Sequence, residues 1–405
     1  MHGNNSFQKF LTFQFFTNIG VGMFNIFMIW WIHFLFQNPF YTGLAGFVLV
    51  VSGVFNFMIG PLIDRADKTR IIKMGSVVLA LVSGSLIVFD MLGIYNVWIL
   101  LALMLMFDFT TMLIVPAKTA YLPQIIDSDS LVHANSKIQR YTSMGGLIVG
   151  VLLFRAMDGY GFSLIFTMNT VILLLALFLS FSLKKVEAKS SAELDKNYFE
   201  ELKEGFRFIY GSVFAHLIAI FIFIDIAITF ASVNLPMFAE VHTDAPSGYL
   251  ILMFLVVIGR IIGTVIASKI KNKFELSKIF TGLFILSGLA RTAFVFMIGI
   301  NFVLSLVLLV AYASFGAAIG IYFRSLIQKL PPGKIVARVR AIDVSIAACA
   351  AALGALLGGL AGSVVQNINM IFYIQAGVYI VAGLVLPMSG RVRALTKIDD
   401  MTLPE

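Results

Sequence analysis

The chain has 405 residues, of which 60% are hydrophobic and only 12% charged, with a mean hydropathy of +0.96. Soluble domains are just under half apolar, so this composition excludes a water-soluble protein and defines an all-α membrane protein without room for a large extramembrane domain. A net charge of +8 would suggest nucleic acid in a soluble chain; in a membrane protein the position of each cation matters more than the total, and no nucleic-acid partner is expected.

The chain begins MHGNNSFQK and runs straight into an apolar segment without a small-residue cleavage site, which reads as a first span and not a removable signal. Apolar runs bounded by charge, Gly or Pro fall at 10–36, 41–63, 71–93, 96–115, 136–157, 160–183, 213–238, 248–269, 279–299, 301–323, 341–365 and 368–388. Each is about twice the length of a barrel strand, and lipid does not tolerate unsatisfied backbone groups, so the twelve are expected to be transmembrane helices. Assigning the connections alternately to two sides puts all but three of the 29 Lys and Arg on the side that holds the termini. The positive-inside rule then makes both termini cytoplasmic, in a multi-pass protein of the bacterial cytoplasmic membrane. Trp30, Trp31 and Trp98 fall at the outer helix ends, where an aromatic belt is expected. Cys349, the one cysteine, has no internal partner for a disulfide.

The longest polar segment separates two six-helix bundles, giving an N-terminal bundle over 1–183, a cytoplasmic linker over 184–212 and a C-terminal bundle with cytoplasmic tail over 213–405. Within the linker Leu202, Phe206 and Ile209 recur at helical spacing, the mark of an interfacial amphipathic helix. A shift of 203 residues lays GPLIDRADKTR (60–70) on GTVIASKIKNK (263–273), pairing Gly60 with Gly263, as parallel repeats of a transporter would. In the first copy Gly60 allows close helix approach. Asp64 can accept from free N–H groups at a helix start, and Arg65, Lys68 and Arg70 hold the loop on the cytoplasmic side. The alternative is that these are ordinary topology-setting charges.

GPLIDRADKTRII resembles the loop 2–3 signature of the major facilitator superfamily, with Asp67 and Lys68 where the broader pattern has Gly and Arg. PAKTAYLPQIIDSDSLVHANS (116–136), EELKEGFRFI (200–209) and LIQKLPPGKIVARV (326–339) are similar to patterns of its macrolide-efflux-like, drug-exporting branch. The resemblance spans the chain and implies twelve helices in two pseudo-symmetric bundles. It also implies that Asp64 docks at the cytoplasmic start of the eleventh helix, near Arg338 to Asp343, locking one of two alternating states. Helices 1, 4, 7 and 10 would line a central cavity.

Ionisable groups in mid-bilayer are functional candidates by default. Asp108 lies eight residues before Pro116, about 12 Å along a helix and so near the midplane, and Asp225 is similarly central in the seventh span. A carboxyl group in such a cavity suits proton uptake and release. The competing reading is structural: Arg260 and Arg291 are also intramembrane and can pair with the two acids, leaving neither free. Asn18 and Asn25, seven residues apart on one face of the first helix, and Tyr312 and Ser314 in the tenth are uncharged cavity candidates; each can equally satisfy a neighbouring helix. Glu240, His242 and Asp244 form an outer-loop cluster that either binds a cation or is simply hydrated. No phosphate-binding loop or catalytic triad is present, so no enzyme activity, cofactor, metal or direct ATP drive is expected.

The sequence therefore predicts a monomeric secondary transporter that couples protons to efflux of small amphipathic or hydrophobic molecules by alternating access among membrane lipid. A lipid or lysolipid flippase, an importer of the same fold, and a non-transporting sensor or scaffold are the alternatives.

Overall fold

The computed structural model describes residues 2–126, single positions between 134 and 148, 162–185, 198–243, 247–270, 273–332 and 335–396. All regular elements among them are helical: α1 (His2–Phe36), α2 (Pro39–Val51), α3 (Asn56–Arg65), α4 (Lys68–Leu92), α5 (Val97–Tyr121), α6 (Phe162–Phe181), α7 (Tyr198–Gly211), α8 (Phe214–Ser232), α9 (Leu235–His242), α10 (Ser247–Ile270), α11 (Leu276–Met297), α12 (Phe302–Lys329), α13 (Val336–Val364) and α14 (Asn369–Val385), with short 3-10 turns and a closing turn at Gly390–Arg393. Eleven stretches among the described residues are long and apolar enough to cross a membrane. The expected fifth span, 136–157, lies largely outside the described residues.

Backbone contacts divide the chain into one unit of Met1–Gln37, Val48–Leu194 and Ala245–Leu250 and another of Asn38–Phe47, Asp195–Asp244 and Ile251–Glu405. In the first, α4 packs on α5 and α6, and α6 packs on α1. Ser83 of α4 donates to Asn169 Oδ1 of α6 at 2.7 Å, and Asn169 Nδ2 donates to the Gly20 carbonyl of α1 at 2.8 Å. Such side-chain bonds between helices hold spans together where lipid removes any hydrophobic drive for helices to associate. The second unit repeats the scheme: α11 packs on α12 and α14, and α14 on α8. The repeat extends to local detail. Asn96 caps α5, its side chain accepting from the N–H groups of Trp98 and Ile99, and Asn301 caps the equivalent α12 by accepting from Leu304 N–H.

Three spans depart from the uniform helices expected of them. The second is interrupted by a 3-10 turn at Ser52–Phe55, which turns Ser52 inward. The seventh breaks between α8 and α9 at Asn234, just ahead of Pro236, whose ring has no N–H to continue the ladder; Asn234 Nδ2 replaces lost bonds by donating to the carbonyls of Phe230 and Gly358. The fourth runs straight through Pro116 to Tyr121 instead of ending at 115. Membrane helices tolerate this because neighbouring groups satisfy the freed carbonyl. The aromatic belt also needs correcting. Trp30 and Trp31 are buried against Phe27, Phe162 and Phe166, and only Trp98 is exposed enough (64%) to meet lipid. The two inward rings sit on a helix with no single dominant apolar stripe, so sequence alone does not set its rotation.

Helix α2 meets α13 backbone to backbone. A Cβ on Gly359 would sit 2.7 Å from Gly43 Cα and 3.0 Å from the Pro39 carbonyl oxygen. Close approach through small residues is how membrane helices gain contact energy. Gly359→Ala should therefore lower stability by about 2 kcal/mol through overpacking, read as an earlier midpoint in a reversible unfolding titration in micelles; an unchanged midpoint would show that the two helices part freely. Gly263 makes a similar approach, its added Cβ meeting the Ser314 carbonyl oxygen and Ala317 of α12. Its expected counterpart, Gly60, has surroundings outside the described residues. The linker helix α7 docks on the first turns of α13, where Arg338 Nη1 reaches Glu204 Oε2 at 2.9 Å. Ile209 is buried there while Phe206 and Tyr210 point outward.

Candidate functional site

Asp108 projects from the middle of α5 toward the break in the second span. Ser52 donates to its carboxyl group from both the hydroxyl and the backbone N–H, the latter available because the α-helix gives way there to a 3-10 turn. Oδ2 of Asp108 is buried and, among the described residues, without a hydrogen-bond partner. Among the described residues no ion pair joins Asp108 or Asp225 to Arg260 or Arg291. Arg260 is exposed on α10, and Arg291 is occupied elsewhere.

Ten residues after Asp108 in the same helix, just beyond Pro116, lies a group assigned from sequence to a cytoplasmic connection. Lys118 is 6% exposed, inside the helix bundle. Its Nζ donates to Asn18 Oδ1 at 3.4 Å, and Asn18 Nδ2 donates to Thr142 Oγ1 at 2.9 Å. Lys118 and Asn18 together line two adjoining cavities, of about 320 and 250 Å³. Asn18 is thus a cavity residue as expected from its sequence position, whereas Asn25, half-buried two turns on, lines neither of these two.

The second unit holds a connected polar chain. Arg291, 4% exposed, donates from Nε to Gln375 Oε1 at 2.9 Å, and its guanidinium lies over the rings of Tyr312, Phe372 and Phe294 at 4.7, 4.8 and 5.1 Å. Gln375 Nε2 donates to the Tyr312 hydroxyl at 2.9 Å, and Tyr312 is hydrogen-bonded to Tyr379. Asp225 lies near enough to Tyr379, and to Asp343 on α13, for their charges to act on one another. Hydrogen bonds thereby join α11, α12 and α14. Ser314 is not part of this network; its hydroxyl bonds back to the Val310 carbonyl one turn earlier.

Of the loop 2–3 motif, the side chains of Gly60, Asp64 and Arg65 lie outside the described residues. Lys68 is buried and Arg70 exposed. Asp67, which departs from the broader pattern, accepts from Arg70 N–H at 3.0 Å and caps α4. In the outer cluster His242 Nε2 lies 2.7 Å from Asn369 Oδ1, Asp244 lies outside the described residues, and among the described residues no three such side chains gather as metal ligands would.

Helical repeats in two units, with isolated polar groups inside apolar helices, are the makings of a membrane transporter of the major facilitator fold. The solved structures agree. The nucleoside transporter NupG is similar over 97% of this chain and 100% of its own, with a TM-score of 0.72 at 11% identity. A POT family transporter in complex with a thioalcohol-conjugated peptide is similar over 95% of this chain and 96% of its own, with a TM-score of 0.74 at 13% identity. Identities this low speak for the fold alone. The chain belongs to the transmembrane secretion effector family, which it matches over residues 4–403. No curated protein sequence matches it.

Sequence reasoning missed Lys118, Gln375, Tyr379 and Asp343 as members of these sites. For Lys118 a signal existed: a proline followed by Ala-Lys-Thr-Ala-Tyr is a helix-compatible run, and continuing the helix through it places the cation one turn inside.

Proposed function

We propose that the protein is a proton-coupled exporter of small amphipathic or hydrophobic molecules, of the macrolide-efflux-like kind, acting by alternating access in the cytoplasmic membrane with both termini inside. The observation that carries this reading is Asp108: a mid-helix carboxyl held by Ser52, free of any basic partner among the described residues, with one oxygen buried and unbonded. That oxygen is where a proton would sit. A group that must gain and lose a proton during a cycle cannot be neutralised by a fixed cation, whereas a purely structural acid normally is. Asp225 is a second proton site in this scheme, near Tyr379.

Purified protein reconstituted in liposomes with an internal pH dye tests the proposal. Addition of members of an amphipathic compound panel against an imposed pH gradient should release protons at a rate that saturates with compound. Compound movement that is equally fast with the gradient collapsed would remove proton coupling from the account, and no movement of any compound would remove export.

A further inference from the structure

We propose that Lys118, with Asn18, forms a binding site for an anionic group, a carboxylate or phosphate, carried on an otherwise apolar molecule. The assignment rests on the reading of this chain as a transporter of amphipathic compounds and narrows their class. A lysine ammonium has three N–H donors. This one has one hydrogen bond, to a neutral amide oxygen at 3.4 Å, and among the described residues no carboxylate lies within ion-pair distance. Burying a cation with so little compensation is costly, and the structural solution for a lysine near a helix end is to extend its flexible stem outward. Lys118 instead points inward, onto a wall shared by two cavities.

The cavities suit an amphiphile. Asn18 lines both cavities with Lys118, Gln14 lines the larger and Thr142 the smaller, and these amide and hydroxyl groups can donate to anionic oxygens. The larger cavity is also lined by Phe10, Val115, Leu122 and Ile138, which offer an apolar surface and no charge. A cation with amide and hydroxyl donors in a cavity that is otherwise hydrocarbon recognises a headgroup and its chain together. A cationic amphiphile would be repelled.

Equilibrium binding of radiolabelled dodecyl phosphate to the full-length protein in phosphatidylcholine nanodiscs tests the site, with dodecanol, dodecyltrimethylammonium and inorganic phosphate as competitors. Since hydrogen bonds to charged groups contribute 1.5–3 kcal/mol, dodecyl phosphate should bind at least about 10-fold tighter than dodecanol. Lys118→Met should erase that difference and Lys118→Arg should retain most of it. Asn18→Asp, which keeps the lysine but places a carboxylate beside it, should also abolish the preference for dodecyl phosphate over dodecanol, and so serves if Lys118→Met fails to fold. Retention of the preference in Asn18→Asp or Lys118→Met would overturn the proposal. Competition by inorganic phosphate equal to that by dodecyl phosphate would overturn its apolar half. Because binding is measured without a gradient, anion binding in a protein that transports nothing would support this site while refuting export; export confined to cationic compounds would refute this site and leave export standing.

Discussion

Asp108→Asn should reduce pH-driven compound flux to the level of protein-free liposomes while the protein remains folded. Asparagine has the shape of the aspartic acid it replaces and keeps an oxygen to accept from Ser52. Its amide nitrogen takes the place of Oδ2, which is unbonded among the described residues, so no buried charge is created and the cost is that of unpaired N–H groups, about 1–3 kcal/mol. What it removes is the ability to exchange a proton. Flux down a compound gradient should survive, since the alternation of states does not itself require the carboxyl group. The measurement is paired: proton release by an internal dye and compound movement in the same vesicles. Persistent proton release in Asp108→Asn would take the coupling role away from this residue and leave Asp225 as the acid to examine.

Gln375→Leu is the substitution expected to damage the fold most. Gln375 supplies the one side-chain oxygen bonded to the buried Arg291 Nε and also donates to Tyr312. Leucine strands a guanidinium N–H in an aromatic box and breaks the link to Tyr312. Losing a hydrogen bond to a buried charged group, and leaving that charge unsatisfied, costs about 3 kcal/mol. The aromatic rings would still attract the cation but offer no acceptor for its N–H groups. The double variant Arg291→Met with Gln375→Leu should then be more stable than Gln375→Leu alone, because removing both partners of a buried polar pair is far less damaging than removing one. Unfolding titrations of the two variants and the wild type decide it. If the double variant is the weaker, Arg291 stabilises its unit by some route other than this bond, and the network described here is not what holds α11 to α14.

How far these sites could be read in advance differs from residue to residue. Asp108 and Asp225 stood out because an acid in an apolar run has no ordinary explanation. Their surroundings did not. Arg260 and Arg291 were equally visible as intramembrane cations, yet one is exposed and the other is hydrogen-bonded to Gln375. A helix apolar on every side has no stripe to indicate its rotation, so its partners are undetermined until the neighbours are in place. Trp30 and Trp31 failed for the same reason. Lys118 was misassigned because Pro116 normally marks a helix end, and the break at Ser52 was not foreseen because nothing in its flanking residues distinguishes a 3-10 turn from continuous helix.

The sequence by itself determined that the chain is a membrane protein made of long apolar helices, and roughly where its spans lie. These follow from requirements local to each segment: about twenty apolar residues to cross lipid, caps and charges at the ends. Only the tertiary structure decided which polar side chains meet. Ser52 with Asp108, Asn18 with Lys118, and Gln375 with Arg291 each join residues from different helices, and in an apolar bundle those meetings are set by packing and hydrogen bonding across the interfaces, on which spacing along the chain is silent.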